Sequence, residues 1–466
     1  MSIQELRILP PFAIGRFGSS LTPLEAYELR IREDDPLGFR KICPAETLEI
    51  DPASGAVKRS YKPERIRFRD GDRIRPVAPF LEVFAITSTD SLEPLTLDLL
   101  AAEGLGPEAI RWSVAVANLK AFRQTGDSDD KVIASSETFS DHGIHELRGE
   151  SPHFRTGKFV PFGNVRYIRP TQEFPEIRFR FTPAEGLVYG ANEKDPLFTE
   201  HQDRVVYNSS PDGGGKWLGF QSDIFSRTLT NPSDIYEGAE DNQTDTKMGP
   251  SKGYLDDVCD GPVTAELTLK DGRTLTARAW ISACMPAFAP DSQPVRTVAD
   301  ELEQLLFGPE LTPGAASIEE AAEIVRRALE TVRLMNTAVM NGNIVDGRVN
   351  IAHTLITQDT NDYRRLYAPI MASSLVDNLA VRALHERVYN ALLSGSAPWF
   401  AQVLRQPEEV ADLSDQGRRK MPPMLRGADG RCLALTRRQL NTIIQAATEK
   451  SCHELEKQDG KHERKD

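Results

Sequence analysis

Residues 254–290 read YLDDVCDGPVTAELTLKDGRTLTARAWISACMPAFAP. An acidic turn, Asp256-Asp257, leads into Asp260-Gly261-Pro262. Val263, Ala265, Leu267 and Leu269 then alternate with Thr264, Glu266 and Thr268, the period-two pattern of a strand with one buried face. Asp271-Gly272 supplies the two-residue turn of a tight hairpin. Leu275, Ala277, Ala279 and Ile281 return along one face. Pro286 and Pro290 end the ladder, because proline has no N–H to donate. The pattern predicts a β-hairpin, with Cys259 and Cys284 flanking its strands. The two would pair if the register set them opposite, although a buried thiol is the commoner state.

Upstream of the hairpin the chain reads as β-rich. Short apolar runs at Phe80–Ile86, Trp112–Ala117, Ile177–Phe181 and Leu187–Tyr189 are divided by Pro and Gly, and Leu95–Ala102 suits a short helix. Residues 191–253 are polar and rich in Asn, Asp, Ser and Gly, which reads as a long insertion. Beyond Pro290 the period becomes helical. Ser317 and Glu320 have capping-box spacing ahead of an apolar stripe at Ala321, Ile324, Val325, Ala328, Val332 and Met335. Leu375–Leu393 reads as a second helix, and Thr436 with Gln439 opens another. The expected class is α+β, a β-rich N-terminal domain followed by a mainly helical C-terminal region. The expected boundaries are 1–295 and 296–457, with a disordered tail at 458–466.

Composition narrows the function. A length of 466 residues suits about two or three domains, and 39% apolar content suffices for their cores. A net charge of −13 argues against nucleic-acid binding, which needs clustered Lys and Arg. No apolar run approaches the ~20 residues that span a bilayer, so no membrane is expected. MSIQELRILPPF does not read as a secretory signal, and five scattered cysteines do not form a disulfide framework. A cytoplasmic location is therefore expected.

As a string, DDVCDGPV followed by Ala279-Trp280 and the Pro286–Pro290 exit resembles the N-terminal region of the L-lysine 6-oxidase (LodA-like) family. Ala13-Ile14-Gly15-Arg16-Phe17-Gly18-Ser19-Ser20 is similar to that family's opening AIGIARVGNS, shortened by two residues. Residues 111–121, with Trp112, Val114, Ala117, Asn118, Lys120 and Ala121, resemble its W-x-V-x-x-A-N-K-K-A stretch. Lys420-Met421-Pro422-Pro423 and the segment 435–446 look like family sequence just before the quinone-bearing part. The resemblance implies amino-acid oxidases carrying a cysteine tryptophylquinone built from their own side chains. The family's cross-linked cysteine opens a Cys-x-Gly-Gly stretch, with its tryptophan well downstream. Here neither Cys432 nor Cys452 is followed by two glycines, and Trp112, Trp217, Trp280 and Trp399 all precede Cys432. This sequence therefore does not support the family cofactor, and the quinone-bearing C-terminal part is expected to be missing.

Two further clusters carry candidate chemistry. His142, His145 and His153 are three of the eight histidines, gathered within twelve residues that also hold Glu146, with Asp141 just before them. Imidazoles and carboxylates so spaced suit iron, copper or zinc; polar residues of a surface loop are the alternative. Asp256, Asp257 and Asp260 suit a cation or a substrate amine, or else an Asx-type turn using carboxylates to satisfy backbone N–H groups. Three functions follow. The first is a quinone-less LodA-like subunit or partner of a second protein chain, or a homo-oligomer. The second is an oxidoreductase acting on an amino acid or peptide residue, through a non-family cross-link or a metal. The third is a metal-dependent oxygenase built on the three histidines.

Overall fold

The computed structural model describes residues 2–34, 37–126, 128–190, 198–207, 255–287, 289–334, parts of 383–425, and 433–462. Most of the 191–253 insertion, and Trp217, Trp399 and Cys432, lie outside them. The chain divides into two compact units, residues 1–28 with 43–288, and 29–42 with 289–466. Each is described by itself.

The strands before residue 88 are β1 (Ile3–Leu9), β2 (Phe12–Arg16), β3 (Tyr27–Arg30), β4 (Lys41–Pro44), β5 (Thr47–Ile50), β6 (Val57–Tyr61), β7 (Arg69–Asp70), β8 (Arg73–Ile74) and β9 (Phe80–Thr87). Next come β10 (Leu92–Pro94), β11 (Ile110–Asn118), β12 (Val132–Ser135), β13 (His145–Gly149), β14 (Val160–Ile168), β15 (Arg178–Thr182) and β16 (Val188–Tyr189). β17 (Leu255–Asp256), β18 (Asp260–Thr268) and β19 (Thr274–Cys284) complete the series. The first unit is thus β-rich, as expected. Short α1 (Leu97–Ala102) is capped by Thr96, whose hydroxyl accepts from Leu99 N at 3.3 Å; α2 (Lys120–Thr125) follows β11 directly.

One sheet runs β1-β9-β15-β14-β13, with β10 added on β9; a second runs β12-β11-β18-β19-β2. The second is antiparallel except where β2 lies parallel to β19, Phe12 opposite Trp280 and Arg16 opposite Cys284. The two sheets share one apolar core, in which Trp112 of β11 stacks on Phe179 of β15 at 4.6 Å.

The hairpin is longer at its turn than the sequence pattern implied. Thr268 pairs with Thr274, and Leu269 N donates to Arg273 O at 2.8 Å, so Lys270-Asp271-Gly272 forms a three-residue loop. Gly272 takes the left-handed conformation there, with φ +87°. Packing explains the extra residue. A two-residue loop would set Leu267 against Thr276, whereas the observed register sets it against Leu275, and Ala265 against Ala277. Both apolar sets then reach the same face and the same core.

In the second unit, α3 is Val298–Phe307, α4 is Ile318–Glu330 and α5 is Arg437–His462. Ser317 caps α4 by accepting from Glu320 N at 3.0 Å. Thr436 and Gln439 form the full reciprocal box, at 2.9 and 3.0 Å. Ala321, Ile324, Val325 and Ala328 are buried against Leu440, Ile443 and Ala447 of α5. The Val332 side chain and Met335 lie outside the described residues. Of the helix expected at 375–393, residues 386–393 are described and helical. Buried Arg40 joins this unit through Glu330 and Glu323, each at 2.5 Å. Among the described residues, no helix is long and apolar enough to cross a membrane.

Candidate functional site

The second sheet gathers the separate segments that sequence reading singled out. β11 ends at Asn118, beside the start of β18, and Ala117 pairs with Asp260. The Asn118 amide donates to Asp256 O at 3.0 Å and to Asp256 Oδ1 at 2.9 Å. Lys120, in the first turn of α2, places Nζ 2.6 Å from Asp256 Oδ2. Asp256 Oδ1 also accepts from Val258 N at 3.2 Å, closing the Asx turn that the acidic spacing suggested. The opening segment joins from the other side, where Phe17 N donates to Cys284 O at 2.9 Å and Arg16 donates to Met285 O at 3.1 Å.

Asp257 is fully buried. Its Oδ2 accepts from Gly186 N at 3.0 Å and Leu187 N at 2.9 Å, while Oδ1 has no hydrogen-bond partner among the described residues. Burial pushes this carboxyl up to about 7, against the pull of the two N–H groups, and neighbouring Asp256 adds to the rise. Gly186 is needed here: its φ is +86°, and a Cβ would lie 2.9 Å from Phe17 Cβ. Residues 186–187 thus bring Asp257 and Phe17 together. They gave no local signal in the sequence, since Asp257 lies some 70 positions away.

A carboxyl titrating near neutrality can hold or release a proton, the property of a general acid or base. It also has a stability signature. The folded-state pKa exceeds the unfolded one, so the native state binds more protons between about pH 4 and 7. Stability therefore falls as pH rises through that window and levels off above it. Asp257→Asn mimics the protonated acid. Thermal unfolding should show the variant matching the parent near pH 4, melting progressively higher than it up to about pH 7, and losing most of the parent's slope between them.

The three histidines have separate settings. His142 Nδ1 lies 3.2 Å from Tyr167 O, and burial pushes its imidazole below the usual range. His145 Nε2 lies 3.1 Å from Asp141 Oδ1, and its ring stacks on Phe139 at 3.8 Å. His153 is buried, its Nε2 3.5 Å from Asp130 Oδ1. Among the described residues, no group of three or more His, Cys, Asp or Glu is arranged to hold a metal ion.

Register also tests the tryptophylquinone, whose thioether needs a sulfur bonded to an indole carbon. Trp112 opposes Ala265 and Ala117 opposes Asp260, so Cys259 lies level with Asn118. That is six residues along β11 from Trp112, about 20 Å. Cys284 is four residues from Trp280 on one strand, about 13 Å. Cys259 is buried with Sγ 3.8 Å from Phe162 O, whereas Trp280 is exposed and its Nε1 donates to Asp260 Oδ2 at 3.2 Å. Neither of these cysteines fits a cross-link to Trp112 or Trp280. Both thiols are free, and burial pushes that of Cys259 up.

No protein-family model and no curated protein matches the chain. Distantly similar solved structures are those of a lysine oxidase from Marinomonas mediterranea. The ε-lysine oxidase has 15% identity and a TM-score of 0.44, the match covering 96% of this chain and 61% of that one. Its Schiff base intermediate with L-Lys gives 14% and 0.43, and a further L-Lys ε-oxidase crystal structure 14% and 0.45, both with the same coverage. The chain thus spans 61% of the length of these structures.

Proposed function

We propose that this chain is a LodA-like protein related to amino-acid oxidases, acting as a subunit or partner of an oxidoreductase system whose tryptophylquinone lies outside these 466 residues. The reading is carried by the convergence of the three family-like segments. Residues 13–20, 111–121 and 254–290 are far apart in sequence, yet their strands β2, β11, β18 and β19 share one sheet, and Asn118 and Lys120 of the second segment reach Asp256 of the third. A chance resemblance of short strings gives no reason for them to meet. The absent Cys-x-Gly-Gly stretch, and the separations of Trp112 from Cys259 and of Trp280 from Cys284, support a quinone outside this chain.

Denaturing intact mass on everything that co-purifies with the chain from its native host tests this. The expected result is a mass equal to that of the sequence, together with a second polypeptide carrying the mass change of a quinone cross-link. Hydrogen loss and oxygen gain within this chain, with a cross-linked peptide found by mapping, would show that it builds its own cofactor. Purification as a single unmodified chain would remove the subunit reading.

A further inference from the structure

Among the described residues, nothing answers the charge of half-buried Arg180. This residue stands in the middle of β15, level with Phe80 of β9 on one side and Arg166 of β14 on the other. Its guanidinium lies over the Phe80 ring, 4.8 Å from the centroid. Nε is sealed from solvent and has no hydrogen-bond partner among the described residues. Burial pushes the group down to about 10, and no charged neighbour contributes to that shift. Arg180 is therefore still a cation at neutral pH.

Neighbouring arginines show how such a charge is ordinarily met. Arg178, on the same face of β15, has Glu82 at 3.0 Å and Glu176 at 2.9 Å. Buried Arg75 gives its nitrogens to Glu25 and to the carbonyls of Thr22, Arg67 and Pro23. Arg166 donates to the carbonyls of His142, Pro52 and Ala53 at 2.7, 2.8 and 3.4 Å, and Asp51 adds attraction. None of these carboxylates acts on Arg180. Drawing a guanidinium out of water without a partner costs free energy, which a bound anion would offset.

Geometry and charge limit the anion. Nε alone of the three guanidinium nitrogens is both sealed and unpartnered, so Nη1 and Nη2 form the edge that meets solvent. That edge presents parallel N–H groups at the spacing of the two oxygens of a carboxylate. One cation balances one negative charge. Arg166 is committed to carbonyls, and the chain carries −13 overall, so a phosphate dianion would be left with excess charge. We infer that the terminal edge of Arg180 binds a carboxylate, from a small organic acid or from an Asp or Glu side chain of another protein. A single ion pair at a half-buried edge makes this binding weak and reversible. The inference stands on this side chain and is independent of where the quinone lies.

The test uses the full chain with sodium acetate as probe, against sodium chloride at equal ionic strength. At about 0.1 M acetate the β-rich unit should melt about 2 °C higher than in chloride. The Arg180 Nε–H resonance of the isotope-labelled chain should shift with acetate and saturate. Arg180→Met removes the charge and keeps an apolar stem against Phe80. It should abolish the acetate effect while melting no lower than the parent in chloride, since no ion pair is broken. Blocked tripeptides with a central Glu or Gln separate the sources. A Glu peptide that acts more strongly than acetate, with the Gln peptide inert, assigns the site to a partner's side chain; acetate acting more strongly assigns it to a free acid. Equal melting in acetate and chloride, an acetate effect that persists in Arg180→Met, or tighter binding of inorganic phosphate would overturn the proposal. So would a variant that melts well below the parent, because Arg180 would then be holding the sheet and not a ligand.

Discussion

Replacing Gly261 by valine is expected to lower the stability of the β-rich unit by about 3 kcal/mol or more. A Cβ at this position would lie 2.0 Å from Ala115 O and 2.8 Å from Val116 Cα, both backbone atoms that no side-chain rotation can clear. The reason lies in the next residue. Pro262 sits inside a central strand and offers no N–H to β11. The β11–β18 pairing runs from Ile110↔Leu267 to Val114↔Val263 and resumes at Ala117↔Asp260. Across that interval the two backbones approach closely, and only glycine leaves room. A larger residue must part the strands, which loosens the Asn118–Asp256 tie at their end. Urea unfolding followed by hydrogen exchange of β11 and β18 amides would measure both effects. Gly272→Ala is the control. Its φ is positive but no atom lies within 4 Å of its added Cβ, so about 1 kcal/mol is expected. Equal losses at both sites would refute the close-approach argument.

In the second unit, Glu330→Ala is expected to cost about 3–5 kcal/mol. The Glu330 side chain is 1% exposed and that of Arg40 is 7% exposed. One carboxylate oxygen accepts from Arg40 Nε at 2.5 Å and the other from Gln293 N at 2.6 Å. Truncation strips both donors of their partner inside the protein, leaving the Arg40 cation, among the described residues, with Glu323 at 2.5 Å. The pair as a whole need not be strongly stabilising, because desolvation offsets much of its attraction. The double change Arg40→Met/Glu330→Leu should therefore recover most of the stability lost in Glu330→Ala. Chemical denaturation of the three proteins decides this, and a double variant as unstable as Glu330→Ala would count against the buried-charge account.

The fold was legible in the sequence wherever period and capping agree. Short apolar runs divided by Pro and Gly placed β9, β11 and β15, and alternation placed the β18–β19 pair. Thr436 and Gln439 marked the start of α5, because the reciprocal cap is a contact between residues three apart. The hairpin loop was misjudged at Asp271-Gly272, since a local turn signal does not report which register buries both apolar faces. α3 was not anticipated as a surface feature, yet none of its residues is buried. Its leucines have the spacing of a core-facing stripe, and the direction that stripe faces is set by Arg327 and Arg438 on other helices.

The candidate site shows the same division. Asp256, Asp257, Asn118 and Lys120 stood out as residues within family-like strings, and the Asx turn of Asp256 followed from local spacing. Their meeting did not, because Asn118 reaches Asp256 across 138 positions and Gly186 reaches Asp257 across 71. The histidines of 142–153 looked like one group because they are near in sequence, yet each has its own setting. The sequence by itself determined what depends on neighbours a few residues apart: strand period, helix caps, the acidic turn and the net charge. Only the tertiary structure decided which distant backbones approach, which carboxyl is stripped of water and held near neutrality, and which helix face is left outside. Those outcomes depend on burial and on long-range pairing, and neither is a property of a short stretch of chain.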